Sequence, residues 1–172
     1  MFFRLNLKSK LGSITQNIKE IRQAIPDNVD LVCVSKFHSQ ENILQAYNSG
    51  ERLFGESRVQ ELVVKYKALP KDIKWHFIGH LQTNKIKMVV PYVTLIHSVD
   101  TLKLLLEIEN YSLKNGYQPD VLLEAYIATE ESKQGFTCEE LLELIPTLEE
   151  LKCVKVKGLM AMASFTEDED QL

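Results

Sequence analysis

The residue of this sequence best placed for covalent chemistry is Lys36, which ends the run Asp30-Leu31-Val32-Cys33-Val34-Ser35-Lys36. Leu31 to Val34 are consecutive apolar residues and include β-branched Val32 and Val34, a composition that suits a strand buried on both faces of a parallel sheet. Lys36 then stands at the C-terminal end of that strand, the end where ligands meet α/β proteins. A lysine forms a Schiff base only as the free amine, and burial against an apolar strand lowers its pKa toward that form. Pyridoxal phosphate is the obvious aldehyde; a sugar-phosphate aldolase would use the same device. The plain alternative for one lysine after a strand is the start of a solvated loop.

Two histidines, His76 and His80, are spaced to share a face of an extended strand, and His97 or Glu56 is a conceivable third ligand. One core histidine and one loop histidine is the simpler reading, so no metal is assigned. Cys33, Cys138 and Cys153 lack the paired spacing of a zinc site and read as reduced thiols, Cys33 as a small core residue.

The elements that must position Lys36 follow from periodicity. Leu7, Leu11, Ile14, Ile18, Ile21 and Ile25 mark an amphipathic helix over 7–25, stopped by Pro26. After the Lys36 strand, Ser39 caps a helix closed by Gly50. Strands are expected at 52–56, 74–79, 93–99, 121–128 and 154–160, with helices from Arg58, over 83–90, through Leu102, Leu105 and Ile108, and from the capping box Thr137-Cys138-Glu139-Glu140. Pro146 is expected to shorten or kink the last helix. The lysines of 65–74 and 85–87 read as solvated helix faces and loops, and the acidic residues 167–170 as a surface helix start or a frayed tail.

This alternation predicts an α/β chain with a parallel sheet and right-handed crossovers. A TIM-type (β/α) barrel with an extra N-terminal helix is preferred over a doubly wound sheet, because Val34 to His38 contain none of the glycines of a dinucleotide fingerprint. The chain reads as one domain over 1–172. About six of eight strand-helix units are present, so the expected barrel is incomplete. The formal charge of -4 and pI near 5.6 argue against general nucleic-acid affinity. No apolar run reaches the roughly 20 residues of a membrane span, and a cytoplasmic address is expected.

Six stretches carry a family resemblance: Val34-Ser35-Lys36; Phe54-Gly55-Glu56-Ser57 with Val59-Gln60-Glu61; Trp75 through Lys85; His97-Ser98-Val99-Asp100; Glu130 through Gly135; and Gly158 through Met162. In this order they resemble the pyridoxal phosphate homeostasis proteins, single-domain relatives of the barrel domain of bacterial alanine racemase. The resemblance implies a fold-type III barrel in which Lys36 holds pyridoxal 5'-phosphate (PLP) as a Schiff base. It implies a protein that buffers or delivers PLP without established turnover. By position it places Ser57 near the site, Asn84 in the loop after the third strand and Met160 beside the pyridine ring. Glu56 would orient the lysine or a neighbouring backbone group, or lie on the surface.

The sequence departs from the family at Ser57, where asparagine is usual, and at Glu124 and Tyr126, where glutamine and asparagine are common. The family's last two strands, with the phosphate cradle, are expected after 172, so the chain reads as C-terminally truncated with impaired PLP binding. The alternatives are a racemase-like enzyme, whose acid-base residue would be Tyr126, and a remnant acting through protein contacts. A monomer or homodimer is expected, with association through an open sheet edge.

Overall fold

A computed structural model of the chain describes residues 12–127 and 134–162. The expected helix positions Leu7 and Leu11, the motif residues 130–133 and the acidic stretch 167–170 lie outside these. Ser13 caps α1 (Ile14–Ala24) by accepting from the Gln16 N–H, and Ile18 is its buried contact with the core. The strands and helices then alternate: β1 (Cys33–Val34), α2 (Gln40–Asn48), β2 (Leu53–Glu56), α3 (Val59–Ala68), β3 (Lys74–Phe77), β4 (Leu95–Val99), α4 (Leu102–Asn115), β5 (Asp120–Ala125), α5 (Cys138–Glu150) and β6 (Lys155–Ala161).

All the strands pair in parallel and in sequence order, β1 to β6, in one six-stranded sheet. This is the order of a (β/α) barrel, here an incomplete one. The crossover between β3 and β4 differs from the expected helix over 83–90: it consists of two 3-10 segments, Thr83–Met88 and Val90–Tyr92. Pro91 lacks the N–H that would extend a regular helix there. Pro146, by contrast, does not shorten α5, which continues to Glu150 beyond the expected capping box.

Register decides where the core lies. Phe54 stands beside Trp75, Phe77 beside Ile96, and Ile96 beside Val121, and none of these is more than 1% exposed. Leu62 of α3 and Leu104, Leu105 and Ile108 of α4 close the same cluster. Side chains alternate along a strand, so the opposite face carries the row Val34, Gly55, His76, Leu95. That face is the interior of the partial barrel.

The first strand corrects the expectation of a run buried on both faces. β1 is an edge of the sheet, only two residues long, with Val34 50% exposed. At the other edge, buried Glu109 of α4 accepts from the backbone N–H groups of Lys152, Cys153 and Val154 at 2.8–3.2 Å. This carboxylate fixes the turn that starts β6. Ile108 beside it is fully buried, and Ile108→Ala is expected to lower unfolding stability by about 2–5 kcal/mol, measured by urea denaturation.

Candidate functional site

The backbone around Lys36 is held by a turn bond from the His38 N–H to Ser35 O at 3.0 Å and by side chains. The Ser35 N–H still donates to Gly55 O at 2.9 Å, the last ladder-like bond of β1. The Ser35 hydroxyl then donates to Glu56 Oε1 at 2.7 Å. Lys65, in the second turn of α3, donates from Nζ to Ser35 O at 2.9 Å, to Glu56 Oε1 at 2.7 Å and to Glu61 Oε2 at 3.1 Å. Glu61 Oε2 also accepts from the Phe37 N–H at 3.0 Å. These contacts fix the residues on either side of Lys36. Phe37 takes a left-handed φ of 66°, with the Arg58 guanidinium 4.5 Å over its ring.

Glu56 and Lys65 are 0% and 6% exposed. Their charges are compensated by each other and by the bonds to Ser35; on Glu56 these bonds fall on Oε1, while the buried Oε2 has no hydrogen-bond partner among the described residues. The Phe37 N–H, followed by Lys65, holds the Glu61 carboxyl below the usual carboxylate range. Lys65 therefore corrects the reading of the 65–74 lysines as solvated, although Lys67, Lys71 and Lys74 are exposed. Glu56 is likewise no surface residue; it orients Ser35. The spacing Glu61 to Lys65, one helical turn apart, was the available signal for this cluster.

Lys36 itself is exposed, in the turn two residues beyond β1. Burial on the strand, expected from its apolar neighbours, does not occur, because the strand ends before it and pairs on one side only. Ser57 follows β2, half-buried, and Asn84 is exposed on the 3-10 segment after β3. Both thus share the strand C-terminal rim with Lys36. Met160 lies on β6, half-buried, with Glu124 as its register partner. No hydrogen bond joins these residues to one another among the described residues. The rim is tight between β2 and β3: a Cβ on Gly79 would stand 2.3 Å from Ser57 O, so only glycine fits.

The histidines separate as a core residue and a loop residue. His76 is buried and its Nδ1 lies 2.9 Å from His97 Nε2. Burial, reinforced by His97, pushes His76 down to about 4, and burial also lowers His97. His80 is exposed at the rim, with Nδ1 3.1 Å from Asp100 Oδ2. Beside it, burial and then Asp100 raise the Glu124 carboxyl. Tyr126 lines a cavity of about 520 Å³ with Asp100, Phe136 and Glu143. Among the described residues no group of three or more His, Cys, Asp or Glu side chains is arranged to hold a metal.

A family model described as alanine racemase, N-terminal domain, matches residues 9–172. A pyridoxal phosphate homeostasis protein of Aquifex aeolicus is 43% identical over 143 residues, 83% of this chain and 63% of that protein. One from Synechocystis is 42% identical over 145 residues, 83% of this chain and 66% of its own length. The chain thus spans just under two thirds of these relatives. Among solved structures, PipY of Synechococcus elongatus with PLP bound is 33% identical and covers 89% of this chain and 72% of PipY, with a TM-score of 0.80. PipY without PLP gives a TM-score of 0.86 at 33% identity, over 90% of this chain and 73% of PipY. Alanine racemase from E. faecalis, 18% identical, shares the fold with a TM-score of 0.73 over 92% of this chain and 44% of its own.

The histidine pair gives the site region a pH signature. An unfolded histidine takes up its proton near 6.5, whereas folded His76 does so only near 4. Between those values the unfolded chain binds more protons, so stability is full above about pH 6.5 and declines as pH falls toward 4. The urea midpoint is expected to be lower at pH 5 than at pH 7.5, and His76→Asn to narrow that difference.

Proposed function

Because the chain belongs to the alanine racemase N-terminal domain family, we propose that it binds PLP at Lys36 and holds or delivers that cofactor without turning over a substrate. The observation that carries this reading is the placement of Lys36 on a turn fixed from both sides, at the strand end where α/β proteins bind ligands. PLP supplies an aldehyde to which one lysine amine attaches. The residues present fit that end of the cofactor. Lys36 stands exposed at the rim, where the backbones of Gly79 and Ser57 approach closely.

Ser57 and Asn84 would hold the cofactor's polar edge, since a hydroxyl and an amide both donate to anionic oxygens. Met160 would bring a polarizable thioether to the ring. The relatives named for PLP homeostasis and the PLP-bound PipY structure support this assignment. The reading places the protein in the cytoplasm, in keeping with free Cys33, Cys138 and Cys153. Among the described residues no helix is long and apolar enough to cross a membrane. The sheet edges at β1 and β6 would permit a homodimer as well as a monomer.

The test is to mix the purified chain with PLP, reduce with borohydride and map the pyridoxyl mass by peptide. A dominant adduct on Lys36 is the expected result. Adducts scattered over surface lysines, or none, would overturn the assignment, and turnover of an amino acid by the PLP-loaded chain would replace it with a racemase-like enzyme.

A further inference from the structure

We infer that Lys65 is a positioning residue for Lys36, and that the Glu56–Lys65–Glu61 cluster confines cofactor attachment to Lys36 by fixing the backbone on both its sides. This rests on the reading of Lys36 as the attachment point. An ammonium group has three N–H donors. Those of Lys65 are matched by Ser35 O, Glu56 Oε1 and Glu61 Oε2 at 2.9, 2.7 and 3.1 Å. With its donors engaged and its side chain buried, Lys65 is unavailable as an attaching amine. Its charge serves instead to hold two carboxylates in place.

Each carboxylate grips a different neighbour of Lys36. Glu56 accepts from the Ser35 hydroxyl, and Glu61 accepts from the Phe37 N–H. Lys65 adds its own bond to the Ser35 carbonyl. The amino acid before Lys36 is thus held at its hydroxyl and carbonyl, and the one after it at its amide. A two-residue edge strand supplies little of this restraint, because its ladder ends with the Ser35 N–H bond to Gly55. Orientation of a reacting group contributes to rate only when that group is held, and here α3 adds its side-chain bonds to the turn bond from the His38 N–H to Ser35 O at 3.0 Å.

The discriminating variant is the double substitution Glu56→Gln with Lys65→Met, which removes both buried charges together and avoids leaving one unpaired. Two readouts are taken on the full chain: the rate of borohydride-trapped adduct at Lys36 relative to exposed Lys87 at saturating PLP, and hydrogen exchange of the Phe37 amide without PLP. The expected result is a Lys36 preference reduced at least tenfold, exchange at Phe37 at least tenfold faster, and recovery of both in Lys65→Arg. An unchanged Lys36 preference together with unchanged exchange would overturn the inference. If the double variant does not fold, Glu61→Ala, which removes the acceptor of the Phe37 N–H and the outer carboxylate partner of Lys65, is read by the same measures, with the same directions expected. If wild type gives no Lys36 adduct, the attachment reading fails, and Phe37 exchange alone decides whether the cluster fixes the turn.

Discussion

The buried ion pair of Glu56 and Lys65 is the interaction on which the strand-end rim depends. It ties the end of β2 to the middle of α3 and, through Ser35, to the end of β1. Such pairs add little stability relative to well-packed apolar residues of similar volume. What this one adds is position. A charge removed from water tolerates few arrangements, and the arrangement it selects here leaves Lys36 facing solvent while its neighbours are held. The same network accommodates Phe37 in a left-handed backbone conformation that a residue with a Cβ adopts only at a cost of about 1–2 kcal/mol.

Behind the rim, parallel register supplies the stiffness. The row from Phe54 and Trp75 through Phe77 and Ile96 to Val121 buries the helix-facing side of four adjacent strands. Glu109 performs a similar service for β6, where a carboxylate under a turn satisfies backbone donors that the end of the preceding crossover leaves unpaired. The fold therefore uses buried carboxylates twice to anchor backbone where regular pairing begins or stops. Glu56 does so through a partner cation, and Glu109 through backbone amides alone.

Much of this architecture was legible in the sequence. Helix spacing, Ser39 and Thr137 as caps, and alternation of apolar strands with amphipathic stretches located most elements and gave the parallel barrel order. Strand lengths were less legible: Leu31 and Val32 have strand composition, yet they lie outside β1 and pair with no strand among the described residues, and composition does not encode pairing. A lysine in a polar run, such as Lys65, looks solvated unless its acceptors are known to converge. They come from the end of β1, the end of β2 and the lysine's own helix, a convergence that only the tertiary fold creates. Lys36, Ser57 and Asn84 follow the C-terminal ends of β1, β2 and β3. The side-chain support beneath Lys36 had no sequence signal beyond the one-turn spacing of Glu61 and Lys65.

The facing nitrogens of His76 and His97 have a consequence of another kind. Both rings resist protonation, so in the neutral pair only one of the two facing nitrogens carries a hydrogen. If it sits on His76 Nδ1, His97 must carry its own hydrogen on Nδ1; if it sits on His97 Nε2, His76 must carry its hydrogen on Nε2. The tautomer of one ring thereby dictates that of the other. The pair always offers its surroundings one donor and one acceptor from the outward nitrogens, and a group that hydrogen-bonds to either ring sets the polarity of both.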